Sequence, residues 1–405
     1  MSEFTPKSIC ILGRQPALGL AELESLYGAE HIKTLPGAAL MDIPAEEINF
    51  KRLGGTLKVA RLLNILPGGS WRSAYDYLAD SIPKHLQHMP AGTFTLGISV
   101  YGMDVKPKKL SADLLSLKKI IKASGRSVRI VPNKELALNS AQVLHNKLTH
   151  RGAWELLLVR SGGQTYLAQT LFVQDIEAYA GRDQARPKRD ARVGMLPPKL
   201  GQILINLAAP EKSSPKRSDG KRRPIRILDP FCGTGVILQE ALLVGYHVIG
   251  TDIDPRMVDY AKANIRWLFR KYPTLATQVV IEVADATAHQ WPRFSCVVSE
   301  VYLGRPLKSL PEPAALKAIV SDVNTITKKF LQNLAPQLKK GQTVALAVPA
   351  WKSQNGFMHL PLLDNLTPLG YTRRSFVHAK NDELVYFREG QIVARELLIL
   401  EKADR

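Results

Sequence analysis

Long apolar runs are missing from this chain of 405 residues. No stretch approaches the roughly 18 consecutive apolar residues of a membrane-spanning helix, so no membrane partner of that kind is expected. The opening Met1-Ser2-Glu3-Phe4-Thr5-Pro6-Lys7 is followed only by the short apolar stretch Ile9 to Leu12, too brief for the core of a signal peptide. Cysteine is scarce. Cys10, Cys232 and Cys296 stand far apart and supply neither a disulfide framework nor a metal-binding cluster. A reducing cytoplasm is the expected compartment, and no metal site is expected. No repeat of a whole unit is visible.

Acidic residues are in short supply: 36 against 55 basic ones leave a net charge of +19. The excess is localised. Residues 104–134 carry nine basic and two acidic side chains, and residues 182–223 carry twelve and four, so these windows hold 15 of the 19 charges. Clusters of this kind bind polyanions by releasing condensed counterions. Neither window forms a continuous amphipathic helix with an aromatic apolar face, which argues against a membrane surface. Nucleic acid is the expected partner.

A hydrophobic content of 45% can fill substantial cores, and the length suits two or three domains. Residues 1–70 read as a small α+β unit: a strand at Ile9–Leu12, a helix from Ala17 to Tyr27 ended by Gly28, and a second strand at Ala39–Ile43. Residues 71–178 repeat the style. Helices are expected at Ser73–Met89 and Leu110–Ala123, and one capped by Asn139-Ser140 that ends near Gly152. Strands are expected at Thr93–Val100 and Ser127–Val131, with a hairpin formed by Leu156–Arg160 and Tyr166–Val173 around Gly162-Gly163. Residues 179–223 read as a linker that contains a short amphipathic helix, Pro198–Leu207. From residue 224 to 405, strands alternate with helices, the mark of a parallel sheet. Strands are expected at Ile225–Leu228, His247–Thr251, Val279–Ala284, Cys296–Ser299 and Thr343–Val348. Helices should start at Gly235, Pro255, Pro313 and Gly356, and Arg373–Ala379 and Ile392–Leu400 should add two antiparallel strands. The expected class is therefore α/β: a Rossmann-like, seven-stranded domain preceded by α+β modules.

Asp229-Pro230-Phe231-Cys232-Gly233-Thr234-Gly235 falls where the first strand of that domain turns into its first helix. Gly233 and Gly235 let backbone approach a ligand closely at a helix N-terminus. The G-x-G-x-x-G spacing that cradles a dinucleotide pyrophosphate is missing, and an acidic residue stands at the strand end instead. A carboxylate there suits the positively charged methionine end of S-adenosylmethionine. Asp252 ends the second strand, placed to accept from both ribose hydroxyls. Asp285 follows the third, offering a carboxylate to the adenine amino group. Three strand-end aspartates in this order, after a glycine turn, make Asp229, Phe231, Gly233, Gly235, Asp252 and Asp285 the expected cofactor site.

After the fourth strand stands Val298-Ser299-Glu300-Val301-Tyr302-Leu303-Gly304. Here the motif and strand order resemble the amino-methyltransferases, whose signature is an acidic, Asn or Ser residue, then Pro-Pro, then an aromatic. Both prolines are missing in this chain. With Gly304 as anchor, Glu300 takes the acidic position; with Tyr302 as anchor, Ser299 does. Glu300 is preferred, because a carboxylate polarises an amine more strongly. An exocyclic base amine is a weak nucleophile, its lone pair spread into the ring. Hydrogen bonds from its N–H groups favour the attacking form, while an aromatic face such as Tyr302 holds the extruded base.

The likeness extends N-terminally. Arg52-Leu53-Gly54-Gly55-Thr56-Leu57-Lys58-Val59-Ala60 and the module through Tyr179 look like the N-terminal ferredoxin-like and THUMP domains of the tRNA guanine-N2-methyltransferases that modify position 10. Asp183-x-x-Arg186-Pro187 and the segment Leu196 to Leu207 are similar to the lead into their catalytic domain. The resemblance implies tRNA as partner, S-adenosylmethionine as cofactor and the guanosine N2 amine as target. It also implies a THUMP region that grips the acceptor end, with Lys118, Lys119, Lys122, Arg126 and Arg129 as contacts. Some members use a small zinc-binding activator subunit, and nothing in this sequence reveals one. Two other classes compete. One is an amino-methyltransferase of ribosomal RNA or DNA, and the other an RNA-binding protein whose altered Ser299-Glu300-Val301-Tyr302 site is inactive.

Overall fold

The computed structural model describes residues 4–89, 91–190, 195–209, 224–273, 275, 277–307, 309–354 and 356–403. The first half contains β1 (Ser8–Leu12), α1 (Pro16–Tyr27), β2 (Ile32–Leu35), β3 (Ala38–Met41), β4 (Thr56–Pro67), α2 (Trp71–Leu86), β5 (Phe94–Tyr101) and α3 (Pro107–Ala123). There follow β6 (Val128–Ile130), α4 (Ser140–His145), β7 (Ala153–Ser161), β8 (Gln164–Val173), α5 (Ile176–Gln184) and α6 (Pro198–Ala208). The remainder holds β9 (Arg226–Asp229), α7 (Val236–Leu243), β10 (His247–Asp252), α8 (Pro255–Lys271), β11 (Val279–Val283), β12 (Cys296–Glu300) and α9 (Pro313–Leu334). Last come β13 (Thr343–Ser353), β14 (Gly356–Met358), β15 (Tyr371–Arg373), β16 (Val385–Tyr386) and β17 (Val393–Lys402). Contacts divide the chain into two units. One comprises residues 1–16, 30–51 and 56–178; the other comprises 17–29, 52–55 and 179–405.

The first unit is built on one eight-stranded sheet, in the order β2-β3-β1-β4-β8-β7-β5-β6. The separation expected at residue 70 is not seen, because β4 and β8 pair from Lys58↔Val173 to Pro67↔Gln164 and make the two modules one sheet. Phe94, Leu96, Ile98 and Val100 alternate to one face of β5, where Trp71, Ala74, Leu78 and Ile82 of α2 and Leu110, Leu114, Leu117 and Ile121 of α3 cover them. These spacings of 2 and of 3–4 are the strand and helix periods. Gly162 and Gly163 both take positive φ (+57° and +77°), as a two-residue hairpin turn between β7 and β8 requires. Asn139 caps α4 as expected, with Gln142 closing a capping box. The helix stops at His145 rather than near Gly152, and Lys147 adopts left-handed backbone, φ 52°.

The second unit orders seven strands β11-β10-β9-β12-β13-β17-β15, with β14 and β16 as short additions on β13 and β17. β9 through β13 pair in parallel, while β17 runs antiparallel to β13 and β15 antiparallel to β17. This is the expected Rossmann-like arrangement, and the strand order reverses beside β9, where such sheets open their ligand crevice.

Three expectations need correction. Gly356 starts a strand, not a helix: Lys352↔Phe357 pairing turns β13 back on itself, and Pro361 and Pro368 then block helical hydrogen bonding. The strand expected from Arg373 to Ala379 is only Tyr371–Arg373. Beyond it, the Val377 and His378 N–H groups donate to the Glu24 carboxylate (2.8 and 3.0 Å) instead of to a neighbouring strand. Finally, α6 is no linker helix. Pro198 and every residue from Leu200 to Ala208 are buried, Gln202 and Asn206 among them, as in a helix enclosed by a core. The basic linker expected at residues 210–223 lies outside the described residues.

A buried charge cluster closes the polar face of β5 in the first unit. The Lys58 ammonium contacts the Glu155 carboxylate and donates to Leu138 O at 2.7 Å. Ser99 and Thr170 hydroxyls donate to Glu155 at 2.6 and 2.7 Å. Breaking such a pair leaves a buried charge uncompensated. Lys58→Ala should therefore cost about 3–5 kcal/mol of unfolding free energy, read as a fall in the urea midpoint. Wild-type stability in that variant would mean that water reaches Glu155.

Candidate functional site

A cavity of about 790 Å³ opens at the carboxyl ends of β9, β10, β11 and β12. Asp229, Phe231, Gly233, Asp252, Asp285, Glu300 and Tyr302 all line it, so the structure gathers residues up to 73 positions apart in the chain at one sheet edge. Among the expected site residues, Gly235 and Ser299 stand behind the wall.

The glycine turn follows from close packing. Gly233 and Gly235 hold φ of +49° and +82°, and a Cβ on Gly235 would sit 3.2 Å from the Ala261 Cβ of α8. Asp252 ties this turn to β10: its carboxylate accepts from Gly233 N at 2.9 Å and from Asp254 N at 3.0 Å. Phe231 lies edge-on to Phe330 of α9, ring centres 5.1 Å apart, and forms part of an apolar floor.

Asp229 is 1% exposed. It accepts a 2.6 Å hydrogen bond from the Ser299 hydroxyl and a weaker one, 3.4 Å, from Phe231 N. Burial dominates these bonds, aided by the nearby Asp252 and Glu300 charges, and pushes the carboxyl up to about 8. Burial likewise raises Asp252 despite its backbone donors. Asp285 goes the other way: it is exposed, and Thr287 N and the Thr287 hydroxyl, each donating at 2.8 Å, hold it below the usual carboxylate range. Such a site has its greatest appetite for a cation at Asp229, while Asp252 and Asp285 offer acceptors on either flank.

At the mouth, Glu300 is the last residue of β12, and Arg395 Nε donates to its Oε1 at 3.0 Å. Burial raises the Glu300 carboxyl and Arg395 opposes the rise. Tyr302 is 43% exposed, so an apolar ring face remains for an incoming planar group. The loop is pinned at Gly304, φ +87°, where a Cβ would lie 3.0 Å from Ile319 of α9. Ser299, the alternative polar anchor, is fully buried and donates its hydroxyl to Asp229. Sequence reasoning missed Arg395, Met195, Met257 and Lys329; the last three line the cavity. Met195 directly precedes the segment Leu196 to Leu207 that leads into α6, which was the available signal.

In the first unit, Lys119, Lys122 and Arg129 are exposed and Lys118 and Arg126 half-buried. α3 contributes the lysines, and the edge strand β6 with its preceding turn contributes the arginines. Arg129 donates to Asn146 at 2.9 Å. Among the described residues, Lys118, Lys119 and Lys122 form no ion pair, and no cluster of side chains fit to hold a metal ion occurs. No described helix is long and apolar enough to cross a membrane.

No protein-family model matches the chain. Over 86 residues, 21% of its length, it is 44% identical to a tRNA (guanine(10)-N2)-dimethyltransferase of Methanothermobacter thermautotrophicus, covering 22% of that protein. A protein of the same name from Pyrococcus abyssi is 27% identical over 182 residues, which are 43% of this chain and 46% of the relative. The matched stretches thus span less than half the length of these curated relatives. Among solved structures, TrmN from Thermus thermophilus aligns over 98% of both chains with a TM-score of 0.53 and 19% identity. That likeness shows a shared fold.

The raised Asp229 carboxyl has a direct readout. Its carbon resonance in the ligand-free protein should titrate near pH 8, and Ser299→Ala should move the midpoint higher, since the lost bond favours the charged form. Because the folded value lies above the unfolded one, this group stabilises the fold at low pH and loses that contribution as pH rises through about 8. A midpoint in the ordinary aspartate range would mean a hydrated cavity floor.

Proposed function

We propose that the chain is an S-adenosylmethionine-dependent RNA methyltransferase that modifies the N2 amine of a guanosine in tRNA, position 10. The observation that carries this reading is the cavity itself: three strand-end aspartates and a glycine turn on one side, Glu300 and Tyr302 at its mouth. The names of the relatives supply the substrate. In this reading Asp229 meets the ammonium of the methionine end, Asp252 the ribose and Asp285 the adenine. A buried carboxyl that resists ionisation fits a ligand that brings its own positive charge. When bound, S-adenosylmethionine supplies an electrophilic methyl group on a sulfonium.

The remaining chemistry belongs to the chain. Tyr302 holds the extruded base by its ring face. Glu300 accepts from the amine N–H, which draws the nitrogen lone pair out of conjugation, and takes the surplus proton once the N–C bond has formed. Residues 71–178 serve as a THUMP-like RNA-binding module beside the ferredoxin-like start, with Lys118, Lys119, Lys122, Arg126 and Arg129 against phosphate. A tRNA-modifying enzyme of this kind works in the cytoplasm.

Asp252→Ala should weaken S-adenosylmethionine binding by about 1.5–3 kcal/mol, since hydrogen bonds to a charged acceptor are lost; unchanged affinity by calorimetric titration removes Asp252 from the site. Methyl transfer from labelled cofactor to bulk tRNA, with the product mapped, tests the reaction. Glu300→Ala should lower turnover by at least roughly 100-fold with little change in RNA binding. Tyr302→Phe should retain most turnover and Tyr302→Ala should not. A wild type that binds tRNA yet transfers no methyl would favour the binding-only class.

RNA affinity should also fall steeply with salt. Neutralising about five phosphates gives a logarithmic slope of about −3.5 for single strands and about −4.5 for duplex. A flat titration, or wild-type affinity after replacing Lys118, Lys119 and Lys122 together, removes these residues from the interface.

A further inference from the structure

We infer that Arg395 is a specificity-determining positioning residue, which holds Glu300 as an oriented, ionised acceptor and thereby selects a base edge with two adjacent N–H donors. The inference rests on the functional reading above and adds to it how guanine is told from adenine.

The geometry begins with strand lengths. β12 ends at Glu300, opposite Ala347 of β13, but β13 runs on to Ser353. Pro349 therefore stands where the β12 side of β13 has no neighbour, a position that tolerates the missing N–H. On the other side, Pro349 faces Arg395 of β17. Glu300 and Arg395 meet across this gap, their side chains only 14% and 7% exposed. Arg395 Nε donates to Oε1 at 3.0 Å. Among the described residues, nothing donates to Oε2, and Glu300 lines the cavity whereas Arg395 does not. Oε1 thus carries one donor and Oε2 none, and the roughly four lone-pair sites of an ionised carboxylate leave room for two further N–H donors.

Other groups do not substitute for Arg395. β9 offers Asp229, a like charge, and β13 offers the uncharged Ala347 and Pro349. The following loop brings Tyr302 and Arg305, β10 brings Asp252, and α9 brings Lys329 to the same cavity. Among the described residues, only Arg395 donates a hydrogen bond to the Glu300 carboxylate. Burial by itself favours the neutral acid, and burial is the larger influence on Glu300.

The protonation state matters because it changes what the carboxyl can recognise. An ionised carboxylate only accepts, whereas a neutral one pairs a donor with an acceptor. The guanine edge offers N1–H beside N2–H, two donors that match the ionised form. The adenine edge sets a ring-nitrogen acceptor beside an amine donor and matches the neutral form. Leaving a buried polar group unpaired is the strong route to discrimination.

The test compares wild type, Arg395→Met, Arg395→Lys and Glu300→Gln. Two readouts are taken: the Glu300 carboxyl titration without RNA, and methyl transfer to two full-length tRNA transcripts that differ only in guanosine or adenosine at position 10. In Arg395→Met the carboxyl should titrate at higher pH than in wild type. Guanosine turnover at pH 6.5 should fall at least roughly tenfold with KM for RNA little changed, recovering as pH rises. The guanosine-to-adenosine ratio should narrow by a similar factor, and Arg395→Lys should restore both. Glu300→Gln, which keeps Arg395 and places a donor beside an acceptor, should narrow the ratio at every pH. An unchanged titration in Arg395→Met overturns the coupling, and a shifted titration with an unchanged ratio overturns the selectivity. A wild type that methylates neither RNA overturns the functional reading, while the titration still decides whether Arg395 keeps Glu300 ionised.

Discussion

Four carboxylates gather at one end of a parallel sheet, and three of them, Asp229, Asp252 and Glu300, lose hydration there; the rest of the second unit is arranged around that conflict. Each has a different remedy. Ser299 donates to Asp229, backbone N–H groups of the glycine turn and of Asp254 donate to Asp252, Thr287 holds Asp285 and Arg395 pairs with Glu300. The remedies are graded. Asp285 is exposed and held by Thr287, whereas burial pushes Asp229 up to about 8 despite its one strong donor. Burying carboxylates costs stability that a cationic ligand there would offset, so the cost of burial and the affinity for a cation are linked.

The strand ends that carry this conflict were legible from residues 225–300, because a buried parallel strand reads as a short apolar run and its last residue is polar. Asp229 and Asp252 end such runs, whereas Asp285 stands two residues past β11, a half-exposed strand. Arg395 was not legible. It lies 95 residues beyond Glu300 on a strand that enters the sheet antiparallel, and no local pattern marks which of β17's polar residues turns toward β12. Ser299 illustrates the other limit. Its place in the motif resembles that of a catalytic anchor, but strand alternation sends Ser299 and Glu300 to opposite sides, and only the side-by-side placement of β9 and β12 shows which one meets Asp229. The short strand at Gly356 was misread because a hairpin of few residues leaves too little periodicity to distinguish it from a helix turn.

The N-terminal segments 17–29 and 52–55 belong to the second unit for a similar non-local reason. Glu22 of α1 accepts from Gly54 N and Gly55 N at 2.9 and 2.8 Å and from Asn206 of α6 at 2.7 Å. Arg52 donates to Asn206, to Ala209 O and to the Tyr246 hydroxyl, each at 2.6 Å. A Cβ on Gly54 would lie 2.3 Å from Lys199 O, so the approach demands glycine. Burial still pushes Glu22 up to about 7. The Arg52-Leu53-Gly54-Gly55 motif is therefore a packing device: it seats α6, which in turn lies against β12 and β13.

That support bears on the missing prolines. In the signature this chain resembles, Pro-Pro stiffens the backbone after the fourth strand by restricting φ. Here the same stretch is held by other means: Val301 N donates to Ala347 O at 3.1 Å, Gly304 packs on Ile319 and Arg395 fixes Glu300. All three are packing, hydrogen-bond or ion-pair constraints rather than covalent ones, and they differ in consequence from a proline ring. A proline ring fixes geometry at any pH, whereas an ion pair fixes geometry only while both partners are charged. The loop's order and its acceptor character therefore rise and fall together, which links positioning to protonation at the one residue where both decide what the cavity admits.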